Sequence, residues 1–269
     1  VTWLIQVAGN FLRQLILRRH LVWNFAVRDL KSRYVGSLMG FFWAVVHPLV
    51  LLVSYTFVFS LVFRVRDFSP VTDNFAVFLF CGILPWLYFQ DTVTRCCTAI
   101  IDNSNLIRKT VFPSEILPLA FSISNLVTHL VGLGILLVVL AASQLLSWTA
   151  IFLPLLIVPL VVLTLGLGWA LAALQVFLRD TAQVMSVLLV FWFWFTPIFY
   201  ATDRVPEPFR PLILANPLTY IVEGYRALLL AGSEFPINIL LVVSAYALAA
   251  FVIGGIIFRS TKKEFVDVL

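Results

Sequence analysis

The sequence predicts an all-α integral membrane protein: six transmembrane helices, an N-terminal amphipathic interface helix, and re-entrant outer helices between spans 5 and 6. Three observations predict it. Hydrophobic residues make up 62% of the 269 and charged ones 12%, with a mean hydropathy of +1.04, whereas a soluble domain is about half apolar and about a quarter charged. So few charges cannot cover a soluble fold of this size, so apolar surface must face lipid. Second, six stretches qualify for the roughly 20 apolar residues that cross about 30 Å of hydrocarbon: 38–63, 75–101, 117–145, 150–178, 183–199 and 237–258. Third, these runs are continuously apolar rather than alternating, which excludes the dyad pattern of an outer-membrane barrel.

The chain before the first span, residues 1–36, reads as a cytoplasmic interface region. Trp23, Val27, Leu30 and Tyr34 recur at helical spacing opposite Asn24, Arg28, Lys31 and Ser32, the pattern of a helix lying in the membrane surface. Either it anchors on acidic lipid headgroups or it forms a docking surface for another protein. Gly36 and Gly40 are expected to bend the chain into the bilayer. Six cations precede the first span (Arg13, Arg18, Arg19, Arg28, Lys31, Arg33) and Arg259, Lys262 and Lys263 follow the last, so both termini are placed in the cytoplasm. Arg64 and Arg66 in the first outer loop oppose this, accompanied by Asp67 and Asp73. No cleavable signal is expected, because the basic N-terminal region lacks a small-residue cleavage site. Pro48, Pro85, Pro154, Pro159 and Pro197 are expected to kink or break their helices.

Residues 37–259 form the membrane domain and 260–269 a cytoplasmic tail. Within the domain, the stretch 102–116 is a cytoplasmic connection: a polar turn, then Asn105, Leu106, Ile107, Arg108 and Lys109, then Phe112 and Pro113 restarting a helix. Its apolar residues suit either a socket on another protein or packing against its own helices. Residues 202–235 carry two apolar pieces too short to span, separated by Ala-Asn-Pro, with Pro217 fixing an entry angle. Glu223 and Arg226 have the spacing of a pair on one short helix, as do Asp91 and Arg95. Ser122, Asn125 and His129 share a face of the third span, which would either wet a passage or bond to a neighbouring helix. Gly166, Ala170 and Ala173 make a small-residue stripe suited to close helix contact. Cys81, Cys96 and Cys97 read as buried small hydrophobes rather than a disulfide framework.

Five blocks in order then carry a family resemblance: "RDLKSRYVGSLMGFFWAVVHPL", "LPWLYFQDTVTR", "NLIRKTVFPSEILPLA", "FLRDTAQVMSVLLVFWFWFTPIFY" and "NPLTYIVEGYRALLL". From about Val22 to Phe265 the chain resembles the permease subunits of type-2 ATP-binding-cassette exporters of bacterial surface polysaccharides, O-antigen and teichoic acid among them. His47 before Pro48 and the aromatic run 191–195 depart from the usual pattern. The resemblance implies a homodimer in the cytoplasmic (inner) membrane with two cytoplasmic ATPase subunits beneath it and an undecaprenyl-linked polysaccharide, O-antigen first, as cargo. It implies that Asn105 to Pro113 couples to the ATPase, flanked by the interface helix with Trp23, Arg28, Lys31, Arg33 and Tyr34. An outer gate would contain Pro217, Tyr220, Glu223, Tyr225 and Arg226. The chain contains no G-x-x-x-x-G-K-[ST] loop, so ATP and Mg are expected on the partner subunit and no cofactor on this chain.

Aromatic faces give sugars weak, slide-tolerant contacts, in the way that many weak sites permit conduction. Trp43, Tyr55, Trp86, Tyr88, Phe89, Trp192, Trp194 and Phe195 are the candidates for a glycan channel. Interfacial belts and core packing are the competing use of such residues. A lipid-linked-sugar transferase would need clustered carboxylates or histidines, and the three histidines are scattered at 20, 47 and 129. No catalytic residue or metal site is expected, and no nucleic-acid partner. Exporters of teichoic acid, capsular glycan, a drug or a small lipid would share this fold and remain open.

Overall fold

A computed structural model describes residues 18–33, 35–62, 72, 74–109, 112–230 and 236–269. Tyr34 of the expected interface helix, Arg64 and Arg66 of the first outer loop, and 231–235 of the expected gate lie outside the described residues. The described chain is helical, with no strand: α1 (Arg19–Ser32), α2 (Trp43–Thr56), α3 (Phe75–Asp102), α4 (Ser104–Lys109), α5 (Ile116–Ala142), α6 (Pro154–Phe177), α7 (Thr181–Trp194), α8 (Arg210–Leu214), α9 (Pro217–Leu229), α10 (Ile237–Thr261) and α11 (Phe265–Val268).

Five helices among the described residues are long and apolar enough to cross a membrane: Gly40–Phe59, which contains α2, together with α3, α5, α6 and α10. The stretch expected as a fifth span holds only the 14 residues of α7, about 21 Å of helix at 1.5 Å per residue. Its end has a local cause. Pro197 disfavours helical backbone at the residue before it, and the Thr196 hydroxyl donates to Trp192 O at 2.8 Å, closing the last turn. Pro48, Pro85 and Pro159 lie inside helices that continue through them, while Pro154 opens α6 and needs no N–H there.

Starts and turns follow local chemistry. The Asn74 side chain caps α3 by accepting from Val77 N at 3.3 Å, and Asn216 caps α9 by accepting from Leu218 N at 3.0 Å, with Pro217 as the first helical residue. Gly36 and Gly40 have φ of +80° and +51°. A Cβ would meet nothing within 4 Å at either, so glycine serves the left-handed backbone that swings the chain from α1 into α2.

The most buried helix is α3, with 78% of its most apolar window buried, against 11% for the first span and 17% for α10. Its neighbours are α2, α5, α6, α7 and α9. Cys81, Cys96 and Cys97 are free and buried within this packing. The closest helix contact joins α6 to α10. A Cβ on Gly254 would fall 1.9 Å from Gly166 O, and one on Gly166 would fall 2.4 Å from the Ala250 backbone. The small-residue stripe was visible on α6, but Gly254 across from it was not. Gly254→Ala is therefore expected to force the two backbones apart and destabilise the protein by about 1–3 kcal/mol. Gly255→Ala, next to it with nothing within 4 Å, should be neutral or slightly stabilising in the same thermal unfolding measurement.

Two core regions result. The larger surrounds α3 with α5, α6, α9 and α10. The smaller lies at the other end and gathers Ile100, Ile107, Leu117, Trp169, Phe258 and Phe265. The segment 260–269 thus packs back onto the bundle, with Phe265 fully buried and 5.4 Å from the ring of Phe258.

Candidate functional site

Three regions concentrate polar chemistry: the face carrying α1 and α4, a groove beside α2, and the cap formed by α8 and α9. On the first, α1 docks along α5 through Val22, Ala26 and Asp29. Trp23, on the apolar face expected to lie in the membrane surface, is turned away from this contact and is 58% exposed. Small Val22 and Ala26 let the helix approach, and Asp29 gives the contact its polarity. The Asp29 carboxylate is buried and accepts from Arg33 at 2.8 Å and from Ser124 Oγ at 2.6 Å. It also pairs with Arg95 of α3. The pair expected between Arg95 and Asp91 is absent among the described residues; Arg95 takes its acid from α1 instead.

Of the segment expected to couple to a partner, Asn105, Arg108 and Lys109 are exposed, Leu106 is half-buried and Ile107 is buried. Ile107 and Phe112 serve this chain's own packing: Ile107 sits in the smaller core, and Phe112 meets Phe25 of α1 with ring centroids 5.1 Å apart. Pro113 is half-buried beside it. Arg108 donates to the Leu269 carbonyl at 3.5 Å, and Lys262 bridges the buried Glu115 at 3.4 Å, so the last helices brace this face. On α1, Arg28 lies over the Phe25 ring at 4.2 Å and Lys31 is exposed.

The groove, about 480 Å³, runs between α2, α3 and α7 and is lined by His47, Tyr55, Trp86, Gln90, Asp91 and Phe193 among others. Two of the eight sequence candidates meet there. Tyr55 packs on Phe199 and Phe193 at 5.1 and 6.3 Å. Trp86 lies 5.3 Å from Phe193, and its indole donates to Gln90 Oε1 at 2.6 Å. The rest are dispersed. Tyr88 is buried and shares a hydrogen bond with Ser122 at 2.7 Å. Phe89 is fully buried, edge-on to Trp192 at 5.0 Å, while Trp192 donates to Asn216 Oδ1 at 2.9 Å. Trp43 is exposed and donates to Ser37 Oγ. Trp194 and Phe195 face outward, Trp194 stacking on Phe199 at 5.4 Å. Phe193, Phe199, Gln90 and Asp91 are the groove and wall residues that sequence reasoning missed; the aromatic run 191–195 and the lone intramembrane acid were the available signals.

In the cap, α9 is packed on α3 and α10, with Tyr225 fully buried and bonded to His129 Nε2 at 2.9 Å. His129 stands midway along α5, so α9 reaches well into the bundle. Asn125 donates to Thr92 at 2.9 Å, so the whole α5 polar stripe bonds to neighbouring helices. Arg226 does not pair with Glu223, contrary to the spacing. Its guanidinium donates to the carbonyls of Pro197 and Ile198, each at 2.7 Å, and lies 3.5 Å over the Phe78 ring. Gly82 leaves room for it, since a Cβ there would sit 3.0 Å from Arg226 Nη2. Tyr220 and Glu223 are half-buried. Asn216 ties the cap to α7, donating to Thr196 Oγ1 at 2.9 Å while accepting from Trp192.

A bundle of apolar helices with a largely apolar side groove that carries a few polar groups, a braced basic face at one end and a cap inserted at the other defines a membrane-transport subunit. The chain belongs to the ABC-2 type transporter family, whose model matches residues 20–230. It is 31% identical over 261 residues to the O-antigen export system permease protein RfbA of Myxococcus xanthus, covering 96% of this chain and 98% of that one. It is also 31% identical over 245 residues to the protein of the same name from Klebsiella pneumoniae, covering 90% and 92%. At 23% identity over 241 residues it matches the polysialic acid transport protein KpsM of Escherichia coli, covering 88% and 92%.

Proposed function

We propose that this chain is the permease subunit of an ATP-driven exporter that carries O-antigen-type polysaccharide across the cytoplasmic membrane. The observation that carries this reading is the end-to-end similarity to O-antigen export permeases at 31% identity. Capsule polysaccharide is the second reading, favoured by the weaker match to KpsM. In this account two copies enclose the path, joined through apolar surface left open on the first span and α7, where Val53, Phe57, Val187 and Phe191 are exposed. The chain crosses six times with both termini inside, α7 and the non-helical residues after it together making the fifth crossing. The re-entrant reading of 202–235 is supported by the depth at which Tyr225 meets His129. Strong anchoring makes α9 the fixed part of the outer gate, and the exposed α8 the part free to move.

Two cytoplasmic ATPase subunits, carrying ATP and Mg, would dock on the α4 face, and an undecaprenyl-linked glycan would pass along the groove. Weak contacts to Tyr55, Trp86 and Phe193 let a polymer advance. Deleting the gene should leave lipid-linked polysaccharide inside the cell and none on the surface, with recovery on complementation; normal surface polysaccharide in the deletion strain would reject the reading. An exposed position carries the coupling test. Lys109→Glu, at an exposed side chain, is expected to cut capture of the ATPase subunit by about tenfold or more, since like-charge contacts in an interface cost several kcal/mol, while leaving the thermal midpoint within a degree or so of wild type. Ile107→Asp, by contrast, should destabilise the permease itself, because it buries an unpaired charge.

A further inference from the structure

Beside the groove lies a second cavity of about 190 Å³ between α2, α3 and α5, sharing His47, Leu87 and Asp91 with it. Three of its lining side chains, within five residues of α5, carry polar atoms with no partner: Asn125 Oδ1, Thr128 Oγ1 and His129 Nδ1. Asn125 and His129 are only 3% and 4% exposed, and their other polar atoms are already spent on Thr92 and Tyr225. Buried polar atoms are paired in nearly all folded proteins, so three in one cavity indicate a polar occupant. At its mouth the Asp91 carboxylate, exposed on the single chain, makes no hydrogen bond or ion pair among the described residues. Trp43 and Tyr88 add aromatic rings to the lining, Tyr88 lying 5.5 Å from the ring of His129.

This chemistry selects the occupant. An amide oxygen and a carboxylate both require donors, and a hydroxyl and an imidazole nitrogen accept either role; the one guanidinium in the lining, Arg33, is already held by Asp29, which leaves the unpaired Asp91 to disfavour a phosphate or pyrophosphate. A group with several hydroxyls and an apolar C–H face meets every requirement. We propose that the cavity is a subsite for one pyranose ring of the exported glycan, reached sideways from the groove and holding the chain by a single residue between steps. The proposal rests on the polysaccharide reading above and adds to it where one sugar is held.

In the deletion strain complemented with variants, Thr128→Val and Asp91→Asn each keep side-chain shape while removing a hydroxyl or a charge. Each is expected to slow surface delivery of polysaccharide about two- to tenfold, the value of one lost hydrogen bond, with membrane abundance unchanged. Wild-type rates in both variants would overturn the subsite while leaving the exporter reading intact; a deletion strain with normal surface polysaccharide would remove the exporter reading and the subsite with it. A second measurement does not depend on rate. In the purified permease–ATPase complex in nanodiscs, a thiol placed by Thr128→Cys should be alkylated by a small maleimide, and the strain's own lipid-linked polysaccharide should slow that reaction where undecaprenyl pyrophosphate alone does not. Equal reaction with both, or no slowing with either, means a cavity filled by water only and overturns the proposal.

Discussion

Asp29→Ala is expected to lower the stability of the permease by about 3 kcal/mol, at the low end of what removing one member of a buried ion pair costs, since Arg33 and Arg95 retain some access to solvent. The Asp29 side chain is 7% exposed, whereas those of Arg33 and Arg95 are 16% and 32% exposed. The substitution strands both cations and the Ser124 hydroxyl at once, at the contact that holds α1 to α3 and α5. The protein supplies its own reporter: Cys81, Cys96 and Cys97 are free and buried, so a fluorogenic thiol reagent added during heating in detergent reads the midpoint directly. A double-mutant cycle refines the assignment. Asp29→Asn combined with Arg95→Met should show a coupling energy above about 1 kcal/mol, whereas Asp91→Asn with Arg95→Met should add within about 0.5 kcal/mol. The reverse pattern would return Arg95 to the partner that sequence spacing suggests. Because the network joins α1 to two long helices, loss of Asp29 should also loosen the face on which α4 sits and lower ATPase-subunit capture.

Arg226→Met is expected to cost at least about 2 kcal/mol, because hydrogen bonds from a charged donor contribute roughly 1.5–3 kcal/mol each and the carbonyls of Pro197 and Ile198 lose theirs together. No water-filled surface is at hand to replace them if the cap lies at membrane depth. Arg226→Lys should recover only part of the loss, since an ammonium lacks the planar fork that reaches two carbonyls and stacks on Phe78. Glu223→Gln should fall within about 0.5 kcal/mol of wild type, as for a substitution away from any special contact. Equal losses at 223 and 226 would mean that the two side chains are an ion pair after all. The same thiol-reporter midpoint decides it, and slower export in Arg226→Lys would place the cap on the transport path.

Local signals explain which parts of this architecture were legible in the sequence. Apolar runs located α3, α5, α6 and α10 to within a few residues at most ends, and Gly36 and Gly40 marked the turn into the first span because only the backbone decides there. The stripe Ser122, Asn125 and His129 was legible as polar groups needing partners. The partners were not, since Tyr88, Thr92 and Tyr225 come from other helices. Where sequence spacing did suggest partners, at Asp91–Arg95 and Glu223–Arg226, tertiary contacts outcompeted it: a carboxylate from α1 reached Arg95, and a turn of free carbonyls made by Pro197 reached Arg226. The protein-facing side of α1 was not legible for a related reason, because a buried Asp29 looks like surface until its two arginines are seen around it. The short α7 follows from Pro197, a residue read in the sequence as a kink or a break, of which the structure shows the break. Among the aromatics, composition could not separate wall from core, and only Tyr55 and Trp86 of the eight candidates line the groove.

The central claim is that this chain moves polysaccharide only when a nucleotide-hydrolysing subunit works against its inner face. Proteoliposomes holding the permease together with its ATPase, loaded with the strain's lipid-linked polysaccharide on the ATPase side, test it by antibody detection of glycan on the far side. Glycan should appear there with ATP, and not with an ATPase variant unable to hydrolyse or with the permease alone. Equal appearance in the permease-only vesicles would contradict the account.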